Sequence, residues 1–159
     1  MNYPSGLANI VNTYGDPAAY LRSDGTVHPS WERITLDYSR LPESIPLGWL
    51  PEIKVSRMRV HRILSTPLEA IFQEIEANGD WKAIVSFDGT YVWRVKRGIQ
   101  RLSTHSWGIA IDLNAITNQL GTVGDMPKEI YSVFQRHGWE WGGTWSRADP
   151  MHFQAAHGY

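Results

Sequence analysis

The sequence predicts an α+β fold formed by a single domain, residues 1–159. Two segments carry the apolar periodicity of amphipathic helices, and short segments between them alternate apolar and polar residues as strands do. At 159 residues the chain is long enough to bury one hydrophobic core. Helices interleaved with short strands therefore favour a sheet with helices packed against it.

The first of these helices is predicted over residues 66–79. Thr66 is a natural N-cap, Pro67 suits the first turn, and Glu69 completes a capping box. Gly79 favours an end of the helix at that point. The apolar residues recur at helical spacing and predict one buried face, formed by Leu68, Ile71, Phe72 and Ile75.

A second helix is predicted over residues 126–138, ending at Gly138. Its buried face would consist of Ile130, Val133 and Phe134. The segment LANIVNTYG predicts a short helix that ends at Gly15. The remainder of residues 1–50 is rich in Gly, Pro, Ser and Asp, and this composition predicts mostly loop.

Five segments are predicted to be extended: 53–63, 82–87, 90–96, 109–113 and 149–155. Side chains alternate between the two faces of a strand, so Asp112 would lie on the face opposite to Ile111. By the same rule His152 and Gln154 would share one face. An acidic residue and a histidine on strand faces indicate that the functional site lies on the sheet.

The composition excludes several classes of function. A net charge of −1 leaves no basic field for nucleic acid. The absence of cysteine excludes disulfides, thiolate nucleophiles and cysteine zinc sites. No apolar run reaches the roughly 18 residues that span a membrane, and the N-terminus lacks the pattern of a secretory signal. We therefore expect synthesis in the cytoplasm, without a signal peptide and without a membrane segment.

The segment STHSWGIAID (103–112) places His105 and Asp112 seven residues apart, with Gly108 between them. On a helix these side chains would lie two turns apart, roughly 10 Å along the axis. On a strand the odd spacing would send them to opposite faces. A turn at Gly108 would let both side chains reach one small ligand, and glycine adopts such turns readily.

A second histidine with an acidic neighbour lies near the C-terminus. Asp149 precedes His152 across a proline, which favours an extended conformation at Asp149. Together with the pair in 103–112, His152 completes a set of two imidazoles and one carboxylate. This set suits Zn²⁺ and leaves a fourth position for water. Asp149 could then act as the base, and Arg94 or Arg97 could stabilise an oxyanion. Both histidine spacings also occur by chance, so an α+β domain with incidental histidines is the alternative at this point.

Two longer segments resemble the M15 zinc metallopeptidases: LSTHSWGIAIDLN (102–114) and GWEWGGTWSRADPMHFQ (138–154). The family pattern is S-x-H-x-x-G-x-A-x-D, then W-G-G, then D or E-x-x-H, and every element occurs here in order. The family includes VanY-type D-alanyl-D-alanine carboxypeptidases and phage L-alanyl-D-glutamate peptidases that act as endolysins. The resemblance covers a catalytic core of about residues 55–155. It implies a small, mainly antiparallel sheet flanked by helices, in the Hedgehog/DD-peptidase-like zinc peptidase fold.

Carried over by position, the resemblance implies that His105, Asp112 and His152 bind one zinc ion per chain. It implies that Asp149 is the catalytic acid/base, with aspartate where many relatives have glutamate. The expected reaction is direct attack of a zinc-activated water on a peptide carbonyl, without a covalent intermediate.

Further site residues follow from the same resemblance. Arg94 corresponds to the arginine that polarises the scissile carbonyl, and Arg97 is its rival for that role. Ser103 corresponds to a serine that supports the site or the substrate. Trp141 and the two glycines after it would shape the wall of the cleft, so Ser103, Trp141 and Arg97 are candidate substrate-binding residues.

The function that this resemblance implies is hydrolysis of the stem peptide of bacterial peptidoglycan. An endolysin-type L-alanyl-D-glutamate endopeptidase is favoured because the chain is short, with no evident signal peptide or wall-binding repeat. A D-alanyl-D-alanine carboxypeptidase is the alternative. An alternative of another class is a metal-bearing binding module or phage structural component without activity. We expect a monomer that acts on the cell wall after release.

Overall fold

The computed structural model describes residues 2–94 and 101–159. The α-helices in this part of the chain are α1 (Leu7–Tyr14), α2 (Pro29–Thr35), α3 (Ser65–Ala77) and α4 (Lys128–Arg136). The strands are β1 (Leu36–Leu47), β2 (Leu50–His61), β3 (Phe87–Gly89), β4 (Ala110–Leu113), β5 (Glu140–Trp141) and β6 (His152–Gln154). The predicted α+β class is therefore confirmed.

Over the described residues the strands form one sheet in the order β2-β1-β3-β4-β6-β5. The sheet is mixed, because β1 and β3 pair in parallel through Leu47 and Phe87, whereas the neighbouring pairs on either side are antiparallel. The name given to the fold from the family resemblance stays a prediction. No helix among the described residues is long and apolar enough to cross a membrane.

The helix predicted over 66–79 is α3, and its predicted apolar face is buried. Phe72 meets Phe134 of α4 edge-on, with ring centroids 6.0 Å apart. The predicted capping box is wrong, because the helix begins one residue earlier and no side chain caps its first turn. Glu69 instead accepts a hydrogen bond from the Arg40 amide on β1 at 2.7 Å, so a tertiary contact takes the side chain that local capping would use.

The helix predicted over 126–138 is confirmed as α4, with its three apolar residues buried. The short helix ending at Gly15 is confirmed as α1. The loop prediction for the rest of residues 1–50 is wrong, since this part contains α2 and the twelve-residue strand β1. The irregular burial along β1 has a structural cause: the register with β2 shifts between Arg40 and Ile45, so β1 lacks strict alternation.

The extended segments are confirmed in part. The segment predicted over 53–63 corresponds to β2, and the segments at 109–113 and 149–155 contain β4 and β6. The strand predicted over 82–87 is wrong, since β3 covers only Phe87–Gly89. The Asn114 side chain accepts the amide protons of Val85 and Ser86 at 2.8 and 3.2 Å and so replaces a strand partner. Within 90–96, residues 90–94 form no strand, and residues 95 and 96 lie outside the described residues.

Candidate metal centre

His105 lies on a short 3-10 turn, Thr104–Trp107, that leads into β4. The Ser103 hydroxyl accepts a hydrogen bond from the His105 amide at 3.3 Å and so caps the start of the turn. Gly108 ends the turn in the left-handed conformation, with φ of 70°. The turn predicted at Gly108 is therefore confirmed, and it directs the His105 side chain back over the following strand.

Asp112 and His152 lie directly opposite each other on the antiparallel pair β4 and β6. Opposed residues of an antiparallel pair project to the same face of the sheet. The strand pairing therefore brings together two side chains that are forty residues apart in sequence, and the turn adds His105 to them.

The three side chains form a compact buried group. His105 Nε2 lies 3.1 Å from Asp112 Oδ1 and 3.2 Å from His152 Nδ1, and His152 Nδ1 lies 2.9 Å from Asp112 Oδ1. Tetrahedral zinc with ligands at about 2.0–2.2 Å separates its ligand atoms by about 3.3–3.6 Å. The group could therefore hold a metal ion after a small expansion, and its two imidazoles and one carboxylate are a donor set that zinc prefers.

The far side of each imidazole has a hydrogen-bond acceptor that fixes its tautomer. His105 Nδ1–H donates to the Thr90 carbonyl at 2.5 Å, which leaves the Nε2 lone pair directed at the group. His152 Nε2–H donates to Gln154 Oε1 at 3.2 Å, which leaves the Nδ1 lone pair directed there. Such outer partners orient metal-binding histidines.

The electrostatics of the group favour the ionised carboxylate. Burial alone would raise the pKa of the Asp112 carboxyl, but the charges and hydrogen bonds of His105 and His152 hold that pKa far below its usual range. Burial alone would lower the pKa of His152, but Asp112 and Asp149 raise it overall. A metal cation that binds here would therefore compete with protonation of His152, because only the neutral imidazole is a ligand.

Asp149 and Arg94 border the group. Burial raises the pKa of the Asp149 carboxyl, whose charge interacts with those of His152, Asp112 and Arg94. Among the described residues, the buried oxygen Asp149 Oδ1 has no hydrogen-bond partner. Arg94 is half exposed, and its Nη2 lies 3.7 Å from Asp112 Oδ2. The structure thus places a free carboxylate oxygen and a cation at the borders of one candidate metal centre.

Residues 97–155 match the family model of D-alanyl-D-alanine carboxypeptidase, one of the M15 peptidases. The match includes the three candidate ligands and Asp149, and it leaves out residues 1–96. It supports a peptidase of the M15 type that acts on peptidoglycan. No curated protein and no solved structure matches the chain.

The structure gives other roles to some residues of the M15-type pattern. Ser103 is buried within the turn that it caps. Trp141 donates its indole N–H to the Pro150 carbonyl at 2.8 Å and stacks on Tyr131 with ring centroids 4.2 Å apart. These contacts fix the segment that carries Asp149 and His152. Arg97 lies outside the described residues, and a substrate-binding role for any of these residues stays a prediction.

The two glycines after Trp141 allow close approach of backbone segments. A Cβ atom on Gly142 would lie 2.6 Å from the Asp149 carbonyl oxygen, and one on Gly143 would lie 2.2 Å from the Trp141 ring. The Gly142 carbonyl also accepts the Asp149 amide proton at 2.9 Å. The W-G-G motif therefore holds the backbone of Asp149 in place.

Three residues around the candidate ligands were not predicted as site residues: Thr90 and Gln154 contact an imidazole, and Glu140 contacts Gln154. Thr90 acts through its backbone carbonyl, which leaves no signal in the sequence. Gln154 was placed on the His152 face by strand alternation, and only the structure shows that it contacts the imidazole. Glu140 accepts a hydrogen bond from Gln154 at 2.8 Å across the β5–β6 pair, which no local pattern predicts.

Proposed function

We propose that the chain is a zinc-dependent peptidoglycan hydrolase that cleaves the stem peptide, as an L-alanyl-D-glutamate endopeptidase of the endolysin type. One observation carries the proposal: a buried His105–Asp112–His152 group with ligand atoms 2.9–3.2 Å apart, bordered by the unpartnered Asp149 carboxylate oxygen. The family match supports it by assigning this segment to a peptidase family that acts on the cell wall.

In the proposed reaction His105 Nε2, His152 Nδ1 and Asp112 Oδ1 hold the cation. A zinc ion bound there would supply Lewis acidity, lowering the pKa of a water molecule and polarising the peptide carbonyl. Asp149 accepts a proton from the attacking water and then passes it to the leaving amine. Since burial raises the pKa of Asp149, its carboxylate is a better proton acceptor than an exposed aspartate, and its protonated form persists to higher pH.

Arg94 is proposed to stabilise the negative charge that develops on the carbonyl oxygen. Its guanidinium lies beside the Asp112 carboxylate, and about half of its side chain is exposed to solvent. Positive charge at this position stabilises a tetrahedral oxyanion more strongly than the planar carbonyl. The proposed substrate is bacterial peptidoglycan, reached after release from the producing cell, and we propose that the protein acts as a monomer.

A D-alanyl-D-alanine carboxypeptidase is the second candidate, and the description of the matching family favours it. The two activities use the same metal centre and differ in which peptide bond of the substrate is placed next to the metal. Digestion of purified muropeptides followed by mass spectrometry distinguishes them. Loss of a single terminal alanine indicates the carboxypeptidase, whereas release of the whole peptide beyond L-alanine indicates the endopeptidase.

The metal centre is tested by elemental analysis of the purified protein and of His152→Ala. We expect about one zinc per wild-type chain, and loss of that zinc in the variant, since three ligands bind a catalytic zinc. His28→Ala is a matched control because His28 is exposed and its side chain hydrogen-bonds only to Ser30 in the described residues. A wild-type protein that takes up no zinc at neutral pH contradicts the proposal.

A further inference from the structure

The Glu140 carboxylate on β5 receives two hydrogen bonds from side chains. Its Oε2 accepts from Gln154 Nε2 at 2.8 Å, and its Oε1 accepts from Trp145 Nε1 at 3.1 Å. Both oxygens are therefore occupied by donors. Glu140 lies opposite Gln154 in the β5–β6 register, so strand pairing sets this contact.

Both donors contact the same imidazole. Gln154 Oε1 lies 3.2 Å from His152 Nε2, and the Trp145 ring is tilted against the His152 ring with centroids 5.4 Å apart. Glu140 itself forms no hydrogen bond or ion pair with a candidate metal ligand in the described residues. Its influence on the metal centre passes through Gln154 and Trp145.

The hydrogen bonds of Gln154 determine which way its amide faces. Its nitrogen donates to Glu140 and to the Ala156 carbonyl, at 2.8 and 3.3 Å. Its oxygen accepts from the Thr104 hydroxyl at 3.0 Å and faces His152. A carboxylate and a carbonyl can only accept, so the amide nitrogen must face them and the oxygen must face His152. His152 Nε2 then carries the proton, and Nδ1 is left as the ligand atom.

We propose that Glu140 is a positioning residue for His152, holding the imidazole in the metal-binding tautomer and orientation through Gln154 and Trp145. The inference rests on the metal centre of the proposed function. It adds a charged residue, two side chains away from the metal, that determines metal affinity. Outer partners of this kind change metal affinity by about 10- to 100-fold when removed.

The first variant is Glu140→Gln, read out as the zinc dissociation constant in competition with a chelator at neutral pH. A glutamine at 140 offers one acceptor oxygen to two donors, so either Gln154 or Trp145 meets an N–H₂ group instead. We expect zinc binding about 10- to 100-fold weaker than in wild type. Glu76→Gln, an exposed substitution on α3, is the matched control and should bind zinc as wild type does.

A charge swap tests whether Glu140 acts on zinc affinity through Gln154. In Glu140→Gln/Gln154→Glu, the new carboxylate at 154 accepts from Thr104, His152 and the amide nitrogen at 140. The amide oxygen at 140 then accepts from Trp145, so each of these donors has a partner again. We expect the double variant to recover zinc affinity to within a few-fold of wild type. Gln154→Glu alone places two carboxylates together and should bind zinc less tightly than the swap.

The Nε2 proton of His152 gives a readout that a loss of stability would not change. In the zinc-loaded wild type, NMR should show this proton shifted downfield by its hydrogen bond to Gln154, and Glu140→Gln should move it upfield because the Gln154 oxygen is no longer held in place. Unchanged zinc affinity in Glu140→Gln, or no recovery in the swap, overturns the inference. The proposed function is unaffected by either result as long as the wild type binds zinc. A wild type that binds no zinc overturns both.

Discussion

Asp149 combines features that are costly for stability and useful for catalysis. Its carboxyl group is half buried, its pKa is raised by burial, and Oδ1 has no hydrogen-bond partner in the described structure. A buried polar atom without a partner destabilises a fold, so its presence is explained when it serves a function. Asp149 is therefore the residue at which the proposed activity and the stability of the protein conflict most directly.

Asp149→Asn should lower the rate of muropeptide hydrolysis by about 10²- to 10⁴-fold, the usual contribution of a general acid/base. The zinc content should stay at the wild-type value, because Asp149 is not a proposed ligand. Hydrolysis at the wild-type rate would contradict its catalytic role, whereas a wild type that hydrolyses no muropeptide would favour the binding-module alternative.

The same variant should raise the thermal stability of the metal-free protein at pH 7. The folded-state pKa lies above the unfolded one, so the unfolded chain loses its proton first as pH rises. The Asp149 carboxyl therefore destabilises the fold from about pH 4 upward. It has no effect at lower pH, where it is protonated in both the folded and the unfolded state. The stability gain should vanish below that pH. Asp24→Asn should give no such gain at pH 7, since Thr26 lowers the pKa of the exposed Asp24.

At the scale of elements, the turn Thr104–Trp107 decides where His105 points. Ser103 caps its start and Gly108 ends it. A Cβ atom on Gly108 would lie 2.8 Å from Leu36 Cδ2 and 3.0 Å from the His61 backbone nitrogen. The turn is therefore packed directly against β1 and β2, so its conformation cannot change without displacing the sheet.

Gly108→Ala should destabilise the protein by about 3 kcal/mol, combining left-handed strain with overpacking, and should weaken zinc binding by moving the turn. Gly121→Ala is the matched control. Gly121 also has a positive φ, of 84°, but its Cβ would meet nothing within 4 Å. Gly121→Ala should lower the free energy of unfolding only by the left-handed strain, about 1–2 kcal/mol. Equal midpoints of urea unfolding for the two variants would show that close packing at Gly108 is unimportant.

At the scale of the whole molecule, the N-terminal part of the chain braces the candidate site. Trp31 donates its indole N–H to the Ser106 carbonyl at 3.2 Å, and Trp107 donates to the Gly15 carbonyl at 2.9 Å. Tyr14 donates its hydroxyl to the Ala155 carbonyl at 2.8 Å, just beyond β6. Residues that lie outside the family match therefore support both segments that carry the candidate histidine ligands.

Trp31→Phe should destabilise the protein by about 1–3 kcal/mol, because it leaves the buried Ser106 carbonyl without its donor. Trp49→Phe is the matched control, since Trp49 is 64% exposed at the tip of the β1–β2 hairpin and should change stability by less than about 0.5 kcal/mol. Urea unfolding measures both. A Trp31→Phe variant as stable as the control would show that the N-terminal part does not brace the site.

The features that depend on local periodicity and residue chemistry could be predicted from the amino-acid sequence. These features are the helices α3 and α4 with their buried faces, the turn at Gly108, and the identity of the side chains that gather at the candidate metal centre. Each is encoded within a few residues, by apolar spacing, by the conformational freedom of glycine or by the donor atoms of histidine and aspartate.

Which segments meet could not be predicted from the sequence and follows from the packing of the whole chain. The opposition of Asp112 and His152 depends on the register of β4 and β6, and the partners of His152 depend on the pairing of β5 with β6. The strand β1, with its shifted register, and the contact of Trp31 with the site turn also depend on residues distant in sequence. Register and packing are set by the free energy of the whole core, so no short window of sequence contains them.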